Sequence, residues 1–425
     1  MKSIQNLARA WVIPEIRKKI VFTALILVVF RLLAHIPASG IDYNALKNFF
    51  AQSPLLSLLD VFSGGTLANF SILAMGLNPY INASIILQLL TLVSPKLEEL
   101  SKEGEFGRAK INQYTRFLTV PLASLQAVGL YFLLANQKIV PPLSPLSLLA
   151  LVMTMTAGTM FVVWLGELIT EHGVGNGISL LIFAGIVGRL PVVTGQTFLT
   201  SAQEDIFPLA SFLIMSLLVI GGIVFINEAA RRIPVQYARR AARGSLVSQE
   251  THLPLRINQA GVIPIIFAVS LVLVPSMVGQ FLANAPNEKV AYFAQTLSSL
   301  FSPQHIIYNL TYFLLVVGFT FFYTAVIFNP TKISDEIRKH GGFVPGIRPG
   351  EATAGYLNKV LTRVTLPGAV FLGAVAVLPS VVQGATGVSQ LAIGGTGILI
   401  VVSVILETTK KIEAQLVMRN YDKFL

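Results

Sequence analysis

Residues 55–93 read LLSLLDVFSGGTLANFSILAMGLNPYINASIILQLLTLV, a long apolar run with a single charge, Asp60. The run is broken by Ser63-Gly64-Gly65, by Asn69 and by Gly76-Leu77-Asn78-Pro79. Gly and Pro free backbone groups that lipid cannot satisfy, so such backbone persists at membrane depth only inside protein or beside a watery cavity. The run therefore predicts a short re-entrant helix, a turn and a separate half-helix that begins near Pro79. Discontinuous helices mark the conducting route of transport proteins, which indicates a membrane protein with a pore.

The composition of the whole chain is that of a membrane protein. Hydrophobic residues make up 54% and charged residues 12% of the 425 residues, and this charged fraction is about half that of a soluble domain. Most apolar runs are near the ~20 residues that cross the hydrocarbon core. We count ten of them, at residues 20–37, 79–94, 117–135, 146–168, 178–191, 208–227, 257–277, 306–328, 362–382 and 391–407.

The basic residues indicate how these runs are oriented. With the N-terminus in the cytoplasm, all but five of the 31 Lys and Arg residues fall in loops on that side. The exceptions lie in spans or outer loops and are Arg31, Lys47, Lys138, Arg189 and Lys289. This distribution satisfies the positive-inside rule and predicts that both termini are cytoplasmic. The net charge of +11 also suits anionic lipid or an RNA-bearing partner.

The spans divide into two halves, residues 20–200 and 201–410, with five spans in each. An odd number per half means that the second half enters the membrane from the opposite side, an arrangement known from transporters with inverted repeats. The seventh span is interrupted by Asn258, Gly261 and Pro264 and is the counterpart of the broken second span. The predicted fold is therefore all-helical, with ten transmembrane helices in two inverted halves.

Four further segments lie outside the spans. Residues 1–19 predict an amphipathic helix along the cytoplasmic interface, with a cleaved signal peptide as the alternative. The loops 228–256 and 328–361 are too short for a domain but long enough to form docking surfaces. Residues 411–425 predict a cytoplasmic tail.

The sequence lacks the motifs of common catalytic sites. No G-x-x-x-x-G-K-[ST] motif occurs, so the chain has no phosphate-binding P-loop with which to act as its own ATP motor. The five histidines have no metal-ligand spacing, and the glycine-rich run 173–177 joins two spans and is more typical of a tight turn than of a nucleotide loop. We therefore expect no cofactor, no metal and no enzymatic activity.

Several segments together resemble the bacterial SecY family, the pore subunit of the general protein translocase. They occur in the same order relative to the ten runs and extend over nearly the whole chain. The segments are IPEIRKKI at 13–20, NPYINASIILQ at 78–88, EGEFGR at 103–108, WLGE at 164–167, GNGIS at 175–179, HLPLRINQAGVIP at 252–264 and FVPGIRPG at 343–350.

The resemblance implies a plug within the broken second span. In this family the re-entrant segment closes the outer half of an hourglass pore, which here corresponds to about residues 58–75. The charged, small and polar residues of this plug are Asp60, Ser63, Gly64, Gly65 and Asn69. An ordinary half-helix on the outer face is the alternative.

The resemblance also implies a ring of aliphatic side chains at the pore waist. By motif position the ring maps to Ile81, Ile85, Ile178, Ile182, Ile266 and Ile400. A narrow apolar collar loses its water and blocks ions, yet flexible side chains can part around a polypeptide. Without the resemblance, each isoleucine would be assigned to lipid contact or to the core.

A lateral gate is implied between the second half-helix and the seventh span. Gln88 and Asn258 are the polar residues that we expect at this seam. An interhelical hydrogen bond there is worth only about 1 kcal/mol, so an entering signal sequence could displace it. General contact between helices is the alternative role for both residues.

Arginines in the two long loops are the predicted docking residues. They are Arg239, Arg240, Arg243 and Arg348, of which Arg348 lies in a loop tip rich in Pro and Gly. As signals of topology these arginines need no partner. The resemblance implies that they receive the ribosome, through its RNA, or the SecA motor ATPase, and that SecE-like and SecG-like small subunits bind elsewhere on the chain.

The resulting prediction is a channel in the bacterial plasma membrane that conducts unfolded, signal-bearing polypeptides and releases apolar segments sideways into lipid. A secondary transporter of small solutes shares the broken helix and the inverted halves, but it needs a polar or charged site at the midplane. A membrane scaffold without a pore leaves the broken span unexplained.

Overall fold

A computed structural model provides the structure of the chain. It describes residues 11, 13–38, 46, 60, 63–136, 139–201, 206–240, 246–282, 287–386 and 390–422. The predicted interfacial helix at 1–19 lies largely outside this part, because only residues 11 and 13–19 are described. Residues 14–19 form the start of the first span helix, so the boundary predicted at residue 19 is not a helix break.

Within the described part of the first half, six helices have defined bounds. They are α1 (Pro14–Leu33), α2 (Asn78–Val93), α3 (Pro95–Lys102), α4 (Glu105–Asn136), α5 (Pro145–His172) and α6 (Gly177–Ser201). Four of these helices have Pro in the first turn: α1, α2, α3 and α5. The lack of an N–H costs nothing there, because the first turn of a helix makes no intrahelical hydrogen bond with it. Between α2 and α3 the chain bends by 103°.

In the described residues of the second half there are seven helices and three strands, two of them 11 residues long. The helices are α7 (Ile206–Glu228), α8 (Ile263–Leu282), α9 (Glu288–Leu300), α10 (Ile306–Ile327), α11 (Pro330–Lys339), α12 (Glu351–Thr386) and α13 (Gln390–Asp422). The strands are β1 (Ala230–Arg240), β2 (Leu246–Arg256) and β3 (Gly342–Phe343). Because α13 continues without a break to Asp422, most of the tail predicted at 411–425 belongs to the last span helix.

Each of the ten predicted runs coincides with a helix, which confirms the mostly helical fold. Among the described residues, five segments are long and apolar enough to cross a membrane: α4, α5, α8, α10 together with α11, and α12. The bent pair α2–α3 is a sixth candidate, and the apolar parts of α6 and α7 are shorter. The full count of ten spans stays a prediction.

The two halves meet along two seams. On one side α2 and α4 of the first half pack against α8, and on the other side α6 packs against α7 and α13. Between the seams lies a single large apolar cluster that draws side chains from both halves. The centre of the molecule is therefore a junction between the halves and not the core of either half.

The loops 228–256 and 328–361 form a small folded unit, which we call the loop unit. Strands β1 and β2 form an antiparallel hairpin with Ala230 opposite Arg256, and β3 pairs with the other edge of β1. Alternate β1 residues Ile233 and Val235 pack with Leu255, Leu357 and other apolar residues of α11 and α12. The all-helical prediction omitted these strands and treated the two loops as separate.

Asp60 and Ser63 are helical, and residues 64–77 form turns up to α2, with an isolated bridge between Ser71 and Pro37. We call residues 63–77 the turn segment. Most of the predicted re-entrant helix lies outside the described residues, so it stays a prediction. The turns are fixed to the end of α1, since the Ala38 amide donates to the Phe70 carbonyl (2.8 Å) and the Ile72 amide to the Ile36 carbonyl (3.1 Å). The half-helix α2 begins at Asn78, next to the predicted Pro79.

Candidate functional site

The six predicted collar isoleucines come together in the central apolar cluster. Five of them are buried there, and Ile178 is partly buried against the same cluster. They reach it from four helices, with Ile81 and Ile85 on α2, Ile178 and Ile182 on α6, Ile266 on α8 and Ile400 on α13. The structure thus gathers residues that are more than 300 positions apart in the sequence into one apolar group between the halves.

Local sequence explains how the α6 isoleucines reach the centre. The Asn176 side-chain oxygen accepts hydrogen bonds from the amides of Ile178 (3.1 Å) and Ser179 (3.3 Å), which begins the helix at this point. Gly177 lies so close to the Gly166 carbonyl of α5 that a side chain would not fit. Because i and i+4 share a helix face, Ile182 then lies on the same face as Ile178.

A cavity of about 540 Å³ borders the collar. It lies between α2 and α4 on one side and α8 on the other, and Ile81, Ile182 and Ile266 line it. Residues of the turn segment, Leu67, Ala74 and Met75, also line it. The cavity is mostly apolar, with a few amide and hydroxyl side chains such as Asn82 and Ser270, and it follows the seam between the halves.

The predicted plug residues form a tight set of turns around Asp60. The Asp60 side chain is fully buried, and its Oδ1 accepts from the Ala68 amide (2.7 Å). The Asp60 carbonyl accepts from the Gly65 amide (2.8 Å) and from the Ser63 hydroxyl (3.0 Å), while the Asn69 amide donates to the Gly65 carbonyl (3.4 Å). Gly64 and Gly65 have φ of +79° and +82°, in the region that favours glycine.

Two arginines that the sequence analysis left without a role contact this segment. Arg189 of α6 forms an ion pair with Asp60. Arg31 of α1 donates to the Gly64 carbonyl (2.9 Å) and to the Gly188 carbonyl (3.0 Å). The sequence does contain a signal for these two arginines, because both lie inside apolar runs. A charge at membrane depth is costly and therefore indicates a functional site.

Gln88 makes a hydrogen bond across the seam, but its partner is not Asn258. Tyr323 of α10 donates to the Gln88 side-chain carbonyl, and the Tyr323 ring packs edge-on against Phe267 of α8 (5.2 Å between centroids, 73°). This contact joins α2 to two helices of the second half. Tyr323 belongs to no motif named above, so sequence reasoning missed it.

Asn258 is buried in the segment that leads into α8, where it bonds away from the Gln88 seam. Its amide nitrogen donates to the Asn227 side-chain oxygen (2.9 Å) and to the Gly261 carbonyl (3.1 Å), and its oxygen accepts from the Gly261 amide (3.0 Å). Asn227 in turn donates to Ser403 of α13 (3.3 Å). These contacts anchor the start of α8 to α7 and α13.

The predicted docking arginines lie on the loop unit. Arg348 is exposed, at a tip whose backbone is held by two hydroxyls. The Thr353 hydroxyl donates to the Arg348 carbonyl (2.9 Å) and the Ser334 hydroxyl to the Gly350 carbonyl (2.7 Å). Arg239 and Arg240 lie at the end of β1. Arg243 lies outside the described residues.

The chain matches known proteins over nearly its full length. The family model described as SecY matches residues 71–409. The protein translocase subunit SecY of Streptomyces galbus is 45% identical and that of Mycobacterium bovis 43% identical, with coverage of 98% and 97% of this chain and 99% and 97% of theirs.

Solved structures of low sequence identity share the fold. A protein conducting channel (19% identity) and Sec61 in the canine ribosome-channel complex (18% identity) superpose with TM-scores of 0.69 and 0.66. Each superposition covers 94% of this chain and 93% of the other. Family model, relatives and fold agree, and the chain belongs to the SecY family.

Proposed function

We propose that the chain is a protein-conducting channel that moves unfolded, signal-bearing polypeptides across the bacterial plasma membrane and releases apolar segments into lipid. The observation that carries this proposal is the convergence of six isoleucines from four helices on the junction of the two halves. The name that the relatives bear, protein translocase subunit, supports the same function.

The collar isoleucines account for how such a channel stays closed to ions. A narrow apolar constriction excludes water, and an ion without water loses most of its stabilisation there. Isoleucine side chains rotate and part when a polypeptide enters and then close around it. The plug, at about residues 58–75, moves aside as the translocated polypeptide passes.

Release into lipid takes place along the seam between α2 and α8. The apolar cavity on this seam borders the collar, so a segment in the pore can exchange with it. Whether a segment stays in the pore or moves into lipid is decided by a partition equilibrium. An apolar residue gains a few tenths of a kcal/mol at the bilayer centre, while a charge costs about 2.5–3.5 kcal/mol. The hydrogen bond between Gln88 and Tyr323 is the closing contact of this seam, and Asn258 positions the start of α8.

Partners supply the energy, because the sequence has no P-loop. The exposed tip at Arg348, with the arginines at 239, 240 and 243, forms the docking face for the SecA motor or for ribosomal RNA. SecE-like and SecG-like subunits complete the complex, and anionic lipid lies against the basic loops. Both termini are cytoplasmic in this arrangement. The chain itself catalyses no reaction.

The transporter hypothesis receives no support from the geometry. A solute carrier needs polar or charged groups at its central site, whereas the centre of the described structure is lined by isoleucine. Uptake of a solute driven by a proton gradient, measured with this chain alone, would favour the transporter.

A cysteine cross-link tests the proposal, because the sequence contains no cysteine. Ile81→Cys and Ile400→Cys place a thiol in the collar. Ile86→Cys and Ile405→Cys are matched controls on the same helices, where the native side chains are 40% and 48% exposed. Each variant is challenged with a stalled, signal-bearing polypeptide that carries one cysteine.

We expect disulfides at the two collar positions and none at the two controls. Equal reaction at all four positions, or none at the collar in a complex shown to be folded and docked with its motor, would refute the proposed pore.

A further inference from the structure

Two arginines from different helices hold the turn segment against the wall formed by α1 and α6. Arg31 and Arg189 are separated by most of the first half in sequence, yet both reach residues 60–64. They contact the segment in different ways, one through its backbone and the other through its buried carboxylate.

The ion pair of Arg189 and Asp60 depends on this position of the segment. Asp60 has no exposed surface, and its other oxygen is occupied by the Ala68 amide. A buried carboxylate without its cation is strongly unfavourable. Moving the segment away from α6 therefore requires water to reach the Asp60 carboxylate, whereas the Arg189 side chain is already 28% exposed.

Arg31 ties the same segment to α6 through backbone groups. One guanidinium nitrogen donates to the Gly64 carbonyl and another to the Gly188 carbonyl, so a single side chain bridges the turn and the helix. The two backbones approach closely there, because a Cβ on Gly64 would lie 2.7 Å from the Gly185 Cα. Polar contacts and close packing together therefore fix the position of the turn against α1 and α6.

We propose that Arg31 and Arg189 form a latch that keeps the plug closed and that water reaching the ion pair of Asp60 and Arg189 releases it. The proposal rests on the proposed channel function and deepens it. The ion pair is strong while the Asp60 carboxylate is buried, and in water the attraction between the same charges falls severalfold. A polypeptide that parts the collar admits water, and the latch then weakens without any group having to change its protonation.

The test measures how far the plug is open when no polypeptide is present. The complex is purified from its own membrane and reconstituted, and every variant carries Ser63→Cys, since Ser63 is only 4% exposed. The readouts are the rate of labelling by a membrane-impermeant maleimide and the ion conductance of the idle channel. Asp60→Asn and Arg189→Gln each break the ion pair. Arg31→Met removes the donors to both the Gly64 and the Gly188 carbonyl and keeps an apolar stem of similar length.

Two further variants control for folding and for general loosening. The exchange Asp60→Arg with Arg189→Asp restores opposite charges in reversed positions. Arg116→Gln breaks an ion pair with Glu167 (2.7 Å) that joins α4 to α5 and does not contact the plug.

In the three single variants we expect the labelling rate and the ion conductance to rise at least about tenfold, as for loss of a buried partner. In the charge exchange both should return toward the parent values. In Arg116→Gln both should equal the parent values. Parent rates in all three single variants would overturn the latch, as would an increase that the charge exchange leaves unchanged. The cross-link at Ile81→Cys reports the pore independently: if it forms while labelling stays at the parent rate, the latch fails and the channel stands.

Discussion

Tyr323 donates a hydrogen bond to Gln88 across 235 residues of sequence and across the seam between the two halves. The donor lies on α10 and the acceptor on α2, and each is placed by its own half. Gln88 Nε2 donates to the Ser84 hydroxyl (3.1 Å), so a residue of the same helix orients the acceptor. The contact is therefore a point at which the closed seam can be weakened without altering the fold of either half.

Removing the Tyr323 hydroxyl should ease opening of the seam. Tyr323→Phe keeps the ring against Phe267 and removes only the hydrogen bond, which is worth about 0.6–1 kcal/mol between membrane helices. We expect export of a substrate with a weakened signal sequence to rise about three- to fivefold, by the same energy converted to a ratio. Quantitative export assays in cells measure this rise.

Tyr312→Phe is the matched control for this prediction. Tyr312 is also on α10 and is 1% exposed, but within the described residues its hydroxyl has no hydrogen-bond partner. Equal export with the two variants would show that the Gln88 contact does not restrain the seam.

Adding one methyl group at Gly64 should displace the plug from its closed position against α6. In Gly64→Ala the new Cβ meets the Gly185 backbone at 2.7 Å, and φ of +79° adds strain of about 1 kcal/mol for an L residue. We expect higher ion conductance of the idle channel in planar bilayers. Gly65→Ala carries the same strain at φ of +82°, but its nearest contact is 3.8 Å away. A conductance rise of equal size in both variants would attribute the effect to strain and not to the close contact.

A hydroxyl in the collar should let water into the constriction. Ile81→Thr is expected to raise the ion conductance of the closed channel, because a polar side chain reduces dewetting of a narrow apolar pore. Ile86→Thr makes the same change on the exposed face of α2, where the native side chain is 40% exposed. Conductance equal to the parent in both variants would argue against Ile81 as a barrier residue.

Reversing the charge at Arg348 should weaken docking without weakening the fold. The Arg348 side chain is exposed and forms no ion pair in the part of the chain that the structure describes. We expect Arg348→Glu to lower cosedimentation with ribosomes or with the motor, most strongly at low salt because salt screens exposed charges. The free energy of unfolding should stay within about 0.5 kcal/mol of the parent value.

Lys359→Glu provides the control for Arg348, since Lys359 is exposed on α12 and lies outside the loop tip. The same loss of cosedimentation in both variants would indicate a response to net charge and not to a specific docking residue.

Backbone chemistry made the half-helix α2 predictable. Pro79 lies in its first turn, where the missing N–H costs no hydrogen bond. The interruption at Pro264 was also predicted, and α8 begins at Ile263, six residues after the start of the predicted run. Apolar length predicted the remaining span helices in the same way. The positions of the collar isoleucines came from the resemblance, because nothing in a single isoleucine distinguishes a pore from lipid or core.

The features that were missed depend on contacts between distant residues or on a weak local signal. Tyr323 is one of several aromatic residues in an apolar helix, and only the approach of α2 gives its hydroxyl a role. Alternation of Ile233 and Val235 with polar neighbours was a usable signal for β1. The signal is weak because Pro234 interrupts the alternation and the surrounding arginines are typical of a cytoplasmic loop.

The shared core of the loop unit has a mechanical consequence. Strand β1 begins two residues after α7 ends, β2 ends seven residues before α8 begins, and Leu357 and Leu361 of α12 pack into the same small core. We therefore expect a force applied at the tip that carries Arg348 to reach α7, α8 and α12 together, all of which belong to the second half. Binding at the loop unit would then move the second half relative to the first without any contact inside the membrane.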